Sequence, residues 1–175
     1  LPRAASRRVV VTGPGPLLHL HQVGAVQWLS HLDSIQVTPT VWSEFQRHVP
    51  SVAISGPPAW LSLAQPSDSA MSQASQWVNA QVLHAGEAEA LAHARETQAD
   101  LFLTDDTAAR AMGESLGIHV RGSLGVVLFA AASGHLVKAS CLQTLVDLET
   151  QSTLWMSAKV KSAARQAVSQ IFGSP

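Results

Sequence analysis

Short apolar runs alternate with helix-patterned stretches along the whole chain, and this alternation constrains the fold more than any other feature. Val9-Val10-Val11 is a β-branched run closed by Gly13 and Pro14, and Ile35-Gln36-Val37, Trp60-Leu61-Ser62-Leu63, Leu101-Phe102-Leu103-Thr104 and Ile118-His119-Val120 follow it. Brief runs with little polar interruption are how strands covered on both faces read, and Trp60 to Leu63 alternates as a short edge strand would. Between the runs, Leu17, Leu18 and Leu20, then Val23, Val26, Trp28, Leu29 and Leu32, recur at helical spacing and predict two short pieces broken near Gly24. Thr38-Pro39 opens a helix carrying Val41, Trp42, Glu44 and Phe45, with Thr at the cap and Pro at the first helical position. Pro50 to Ser69 reads as a Pro/Ser/Gly-rich connection holding the edge strand, followed by a short helix within Ser67 to Val82. Further helices are expected over Gly86 to Thr97, Thr107 to Leu116, Leu124 to Ser133, Lys138 to Glu149 and Ser157 to Phe172. Strand and helix in alternation predict an α/β fold with a central, mostly parallel sheet of four or five strands flanked by helices.

The totals narrow what such a fold can do. Hydrophobic residues make up 46% and charged residues 13% of 175 positions, which suits one compact domain. The expected organisation is an α/β domain over 1–136 and a helical extension over 137–175 packing on it. A net charge of -1 excludes a global pull toward nucleic acid or a membrane surface, so any polyanion must be held locally. The densest apolar run, Gly122 to Ala132, is far shorter than the roughly 18 to 20 residues a membrane span requires. One cysteine, Cys141, excludes an intramolecular disulfide and a cysteine zinc cage, and a cytoplasmic setting is the expectation.

In open parallel sheets ligands bind beyond the carboxyl ends of the strands. Four features map to that edge: the Gly13 to Pro16 loop, Glu44, Glu87, and the pair Asp105-Asp106. Carboxylates gathered in one crevice repel unless a hard cation neutralises them, and Mg²⁺ or Mn²⁺ suits oxygen ligands and can activate water against phosphorus. Structural roles compete with this one. Glu44 also fits a solvated helix face, Glu87 and Glu89 suit a helix N-terminus, and an acid before Thr107 makes a good N-cap, although two in tandem exceed what capping needs. Gly13-Pro14-Gly15-Pro16 is not a phosphate cradle, having no third Gly, no Lys-Ser/Thr pair and two prolines without N–H groups. His19 and His21, two apart on a helix, face different sides and do not pair on a metal. Basic residues for RNA are modest, namely Arg7-Arg8, Arg47, Arg95, Arg110, Arg121, Lys159, Lys161 and Arg165; the last three share one helix and are the candidates to track a nucleic-acid backbone, with a solvated face as the competing reading.

The ordered series Val9-Val10-Val11 with Pro16-Leu17-Leu18, Val37-Thr38-Pro39 leading to Glu44, Gly86-Glu87-Ala88-Glu89-Ala90, Thr104-Asp105-Asp106 with Arg110, and Gly117-Ile118 followed by Gly122-Ser123-Leu124-Gly125 resembles the PIN-domain family. Within it, the series is similar to small prokaryotic PIN-like proteins related to the toxin nucleases of toxin–antitoxin pairs. The resemblance implies a three-layer fold and a Mg²⁺- or Mn²⁺-dependent endoribonuclease site. By position, Glu44, Glu87, Asp105 and Asp106 would be its catalytic and metal-holding acids, and Arg110 would hold substrate phosphate. RNA, an antitoxin-like protein and a second copy of the chain are the implied partners. The first acid of the family pattern falls on Gly13, and Pro14 and Gly15 replace the small hydroxyl residues that usually follow it. Asp33 precedes the second strand, at the opposite sheet edge, and does not substitute. The expectation is therefore a PIN-like protein of the ribonuclease type with an impaired or altered centre, the alternative being a non-catalytic RNA- or protein-binding module.

Overall fold

A computed structural model describes residues 8–173, without the side chains of Ala53 and Ile54; Arg7 of the basic pair lies outside the described residues. Its centre is a five-stranded sheet formed by β1 (Val9–Thr12), β2 (Ser34–Val37), β3 (Leu61–Leu63), β4 (Leu101–Leu103) and β5 (Val120–Arg121). The order is β3-β2-β1-β4-β5 and every pairing is parallel. β1 is central because both its faces are covered, and Val10, Val11 and Thr12 are all buried. The chain leaves β1 toward β2 on one side and returns to β4 on the other, which makes the carboxyl end of β1 the switch point where a crevice opens.

Helices cover both faces: α1 (Pro14–Gln22), α2 (Pro39–His48), α3 (Pro50–Ser55), α4 (Asp68–Asn79), α5 (Ala85–Glu96), α6 (Thr107–Ser115), α7 (Ser123–Ala132), α8 (Lys138–Thr150) and α9 (Ala158–Phe172). Two segments differ from the sequence reading. Pro14-Gly15-Pro16 is the first turn of α1, where the missing proline N–H groups would have had no intrahelical acceptor, and Gly13 is its N-cap. Pro50–Ser55 is likewise helical where a connection was expected, with Pro at its start and Gly56 at φ 69° ending it. The second piece after Gly24, Val26–His31, is a 3₁₀ turn. Cys141, Leu145 and Leu148 of α8 and Ala164 and Val168 of α9 join the same hydrophobic core as the sheet residues. Among the described residues no helix is long and apolar enough to cross a membrane.

Candidate active centre

The switch point carries a cleft of about 720 Å³ between α1, α2 and the starts of α5 and α6. Glu44, Glu87, Asp105 and Asp106, brought from three separate stretches of sequence, all line it. Arg110 does not. Its Nη2 donates to the Thr104 carbonyl at 3.2 Å and Nη1 lies 3.9 Å from Glu114 Oε1. The wall also includes His19, His48, His84 and Trp155, none of which the sequence reading placed in a site. Trp155, on the connection between α8 and α9, is 83% exposed at the rim. That connection is tied down, since Gln22 Oε1 of α1 accepts from the Thr153 N–H at 2.9 Å.

The acids are individually committed. Asp106 is the N-cap of α6, its Oδ1 accepting from the Ala109 N–H at 2.7 Å. Asp105 Oδ1 accepts from the Ser123 N–H at 2.7 Å, at the first residue of α7. Its Oδ2 accepts from the Ser123 hydroxyl at 2.5 Å and meets His19 Nδ1 at 2.8 Å. Glu44 of α2 accepts from the Gly86 N–H at 3.1 Å, in the first turn of α5. Glu89 of α5 returns the same service, accepting from the Thr40 N–H at 3.0 Å and from the Thr40 hydroxyl, in the first turn of α2. The two helices thus cap one another. Thr38 sits at the expected cap position of α2, yet its hydroxyl makes no cap bond and is buried without a partner. Each of these carboxylates faces the partial positive charge of a helix N-terminus, so backbone dipoles stabilise the anions where a cation would otherwise be needed.

Glu87 is the exception. It is 6% exposed and accepts from the Thr104 hydroxyl at 2.9 Å, which itself accepts from the Asp106 N–H at 3.0 Å. Burial raises its pKa from 4.5 to about 8, with the Asp106, Asp105 and Glu44 carboxylates pushing the same way and the Thr104 hydrogen bond opposing. At neutral pH the group holds its proton. Glycines make this packing possible. A Cβ on Gly13 would stand 2.6 Å from Glu87 Oε2, one on Gly86 would stand 2.6 Å from Glu44 Oε2, and one on Gly122 would collide with Asp105 Oδ1.

A divalent ion needs several unengaged oxygens converging on one point. Among the described residues no group of three or more His, Cys, Asp and Glu is placed to hold a metal ion. Two cleft carboxylates are drawn to different helix termini, a third is shared between Ser123 and His19, and the fourth is buried on the Thr104 hydroxyl, so the donor set as arranged does not converge on a position for Mg²⁺ or Mn²⁺.

No curated protein matches the sequence. The family model described as PIN domain matches residues 9–170, which takes in all five strands and the helices through most of α9. A parallel sheet in the order β3-β2-β1-β4-β5, with acids gathered beyond its central strands, is the framework of a nuclease-type module, and the chain belongs to the PIN domain family.

Proposed function

We propose that this protein is a PIN-fold module of the ribonuclease type whose centre no longer supports metal-dependent cleavage, and that it works by binding a protein partner in the acidic cleft. The observation that carries this reading is the place of the Glu87 carboxyl against Gly13, with a Cβ there only 2.6 Å away. The missing acid does not leave an empty ligand position, because the Glu87 carboxyl fills the space.

Charge favours a protein over RNA. Lys161 Nζ lies 2.6 Å from Glu149 Oε1 and Arg165 Nη2 lies 3.8 Å from Glu149 Oε2, so two of the three basic residues proposed for α9 already have a counter-charge. Arg110 is turned onto backbone. A cleft with Glu44, Asp105 and Asp106 in its wall repels phosphate and suits a basic segment, and Trp155 at the rim offers an aromatic face to a Lys or Arg. In a toxin–antitoxin setting that segment would belong to the antitoxin.

Calorimetric titration with Mn²⁺ and digestion of a mixed RNA pool test the proposal. The native protein is expected to show neither saturable metal binding at the cleft nor Mn²⁺-dependent cleavage. Cleavage that requires Mn²⁺ and disappears in Asp105→Asn would make the protein an active ribonuclease and end the non-catalytic reading.

A further inference from the structure

Strand β5 and the residue before it point two basic side chains at a second cavity. Side chains alternate along a strand, so His119 and Arg121 share one face while Val120 turns to the other, where it is buried. On the first face lies a cavity of about 510 Å³, bounded by the sheet, by α7 and by the 3₁₀ turn Val26–His31. Its floor is apolar, with Val10, Leu101, Leu103 and Val126. At the amino ends of the strands Arg8, Asp33 and Asp100 line it, the Asp100 carboxylate accepting from the Val9 N–H at 2.8 Å, and it shares no lining residue with the acidic cleft at the carboxyl ends.

Several features equip this cavity for a ligand. Arg121 is seated by a glycine: a Cβ on Gly125 would lie 3.1 Å from Arg121 Cβ and 3.2 Å from its Cδ, so the stem of Arg121 runs along α7 where a larger residue would displace it. Glycine inside an exposed helix costs about 1 kcal/mol relative to alanine, and at 125 it gives the guanidinium a fixed approach to the cavity wall. One donor of that guanidinium reaches the Val120 carbonyl at 2.9 Å and the other N–H groups remain for a ligand. Phe129 of α7 lines the same cavity and is 41% exposed. His31 also lines it and is held in a stack, 3.7 Å from the His135 ring and 5.7 Å from Trp28 between centroids. A cavity of this size with apolar walls and a few convergent polar groups has the general form of a small-molecule site.

We propose that this cavity binds a nucleoside monophosphate, with the phosphate on Arg121, the base against Phe129, and Asp33 accepting from a ribose hydroxyl or a base amine. Among its lining, guanidinium, aromatic ring and carboxylate match the three kinds of group that such a ligand presents. A simple anion would leave the ring and the carboxylate unused. An uncharged aromatic would leave the guanidinium unused.

The test is titration of the protein with AMP, adenosine and inorganic phosphate, followed by calorimetry and by amide chemical shifts. AMP is expected to bind saturably at one site, more tightly than either fragment, with shifts at His119, Arg121 and Phe129. Arg121→Gln is expected to weaken AMP about tenfold, the loss of one charge-assisted contact, and Phe129→Ser to weaken it several-fold. Both positions are exposed, and an unchanged thermal transition shows that each variant folds; if one does not, the other decides. Absence of saturable AMP binding, an affinity unchanged in the folded variants, phosphate binding as tightly as AMP, or shifts confined to the acidic cleft would each overturn the proposal.

Discussion

The Glu87 carboxyl stands where a side chain on residue 13 would begin, 2.6 Å from the position of a Cβ on Gly13. Gly13 has φ -77° and ψ 178°, extended backbone open to any residue, so a larger residue there is opposed by the Glu87 carboxyl and not by the chain path. Gly13→Ala is therefore expected to destabilise the fold by about 1–3 kcal/mol, the usual cost of overpacking. Combined with Glu87→Ala, which removes the obstructing carboxyl, the same change should cost much less. Urea unfolding of the four proteins in this cycle measures the coupling; additive costs would show that the two residues do not compete for the space.

The buried neutral Glu87 also predicts how stability follows pH. Below about 4.5 the group is protonated in folded and unfolded chains alike, and its contribution is fully present. Between about 4.5 and about 8 the unfolded chain ionises while the folded chain keeps its proton, so stability falls as pH rises, by at most about 1.4 kcal/mol per unit from this group. Above about 8 the loss levels off. Glu87→Gln keeps an acceptor for Thr104 and cannot ionise, so its unfolding midpoint should change less with pH across that window. Parallel profiles for the native protein and Glu87→Gln would rule out a raised pKa.

Much of the fold was legible because two-sided burial writes consecutive apolar residues into β1 and β4, and because Thr38-Pro39 is a local helix-start signal. α1 was misread at its start, since Gly-Pro-Gly-Pro has the composition of a loop and only the position after a buried strand makes it a helical first turn. That the four acids share one cleft was legible: a switch point gathers the ends of β1 and β4 and the helices beside them. What each acid does there was not legible. Glu44 meets a backbone N–H 42 residues away, Glu89 one 49 residues away, and Asp105 meets a histidine 86 residues away, separations to which no local pattern points. The sequence shows that residue 13 carries no side chain. The side chain that fills the space is a property of packing alone.

Asp105 offers a test between a metal-holding and a structural role that needs no activity assay. In a metal site without its ion, neutralising one carboxylate relieves repulsion and stabilises the protein. Asp105 accepts from the Ser123 N–H and hydroxyl and bonds His19, so Asp105→Ala is expected to destabilise by about 2–4 kcal/mol, with the start of α7 losing its cap. Asp105→Asn should fall between the two, because one amide oxygen still serves Ser123. Chemical denaturation supplies the free energies and hydrogen exchange at Ser123 and Leu124 locates the loss. A stabilised Asp105→Asn would favour the metal-holding role.

The mutual capping of α2 and α5 gives the last expectation. Glu44 on α2 accepts from the first turn of α5, and Glu89 on α5 accepts from the first turn of α2. Each bond satisfies an N–H that has no intrahelical partner and places a carboxylate at a helix N-terminus. Glu89 is 4% exposed and Thr40 is half-buried, so Glu89→Ala leaves the Thr40 N–H and hydroxyl without their partner and should cost about 1–3 kcal/mol. Glu44 lies at the cleft and water can replace its carboxylate, so Glu44→Ala should cost about 1 kcal/mol, a typical cap. Both bonds hold the same pair of helices, and loosening one weakens the geometry of the other, so the double variant should lose less than the sum. A double-mutant cycle by urea unfolding reads this directly. Strict additivity would mean that the helices are fixed by their apolar contacts and that the two caps act separately.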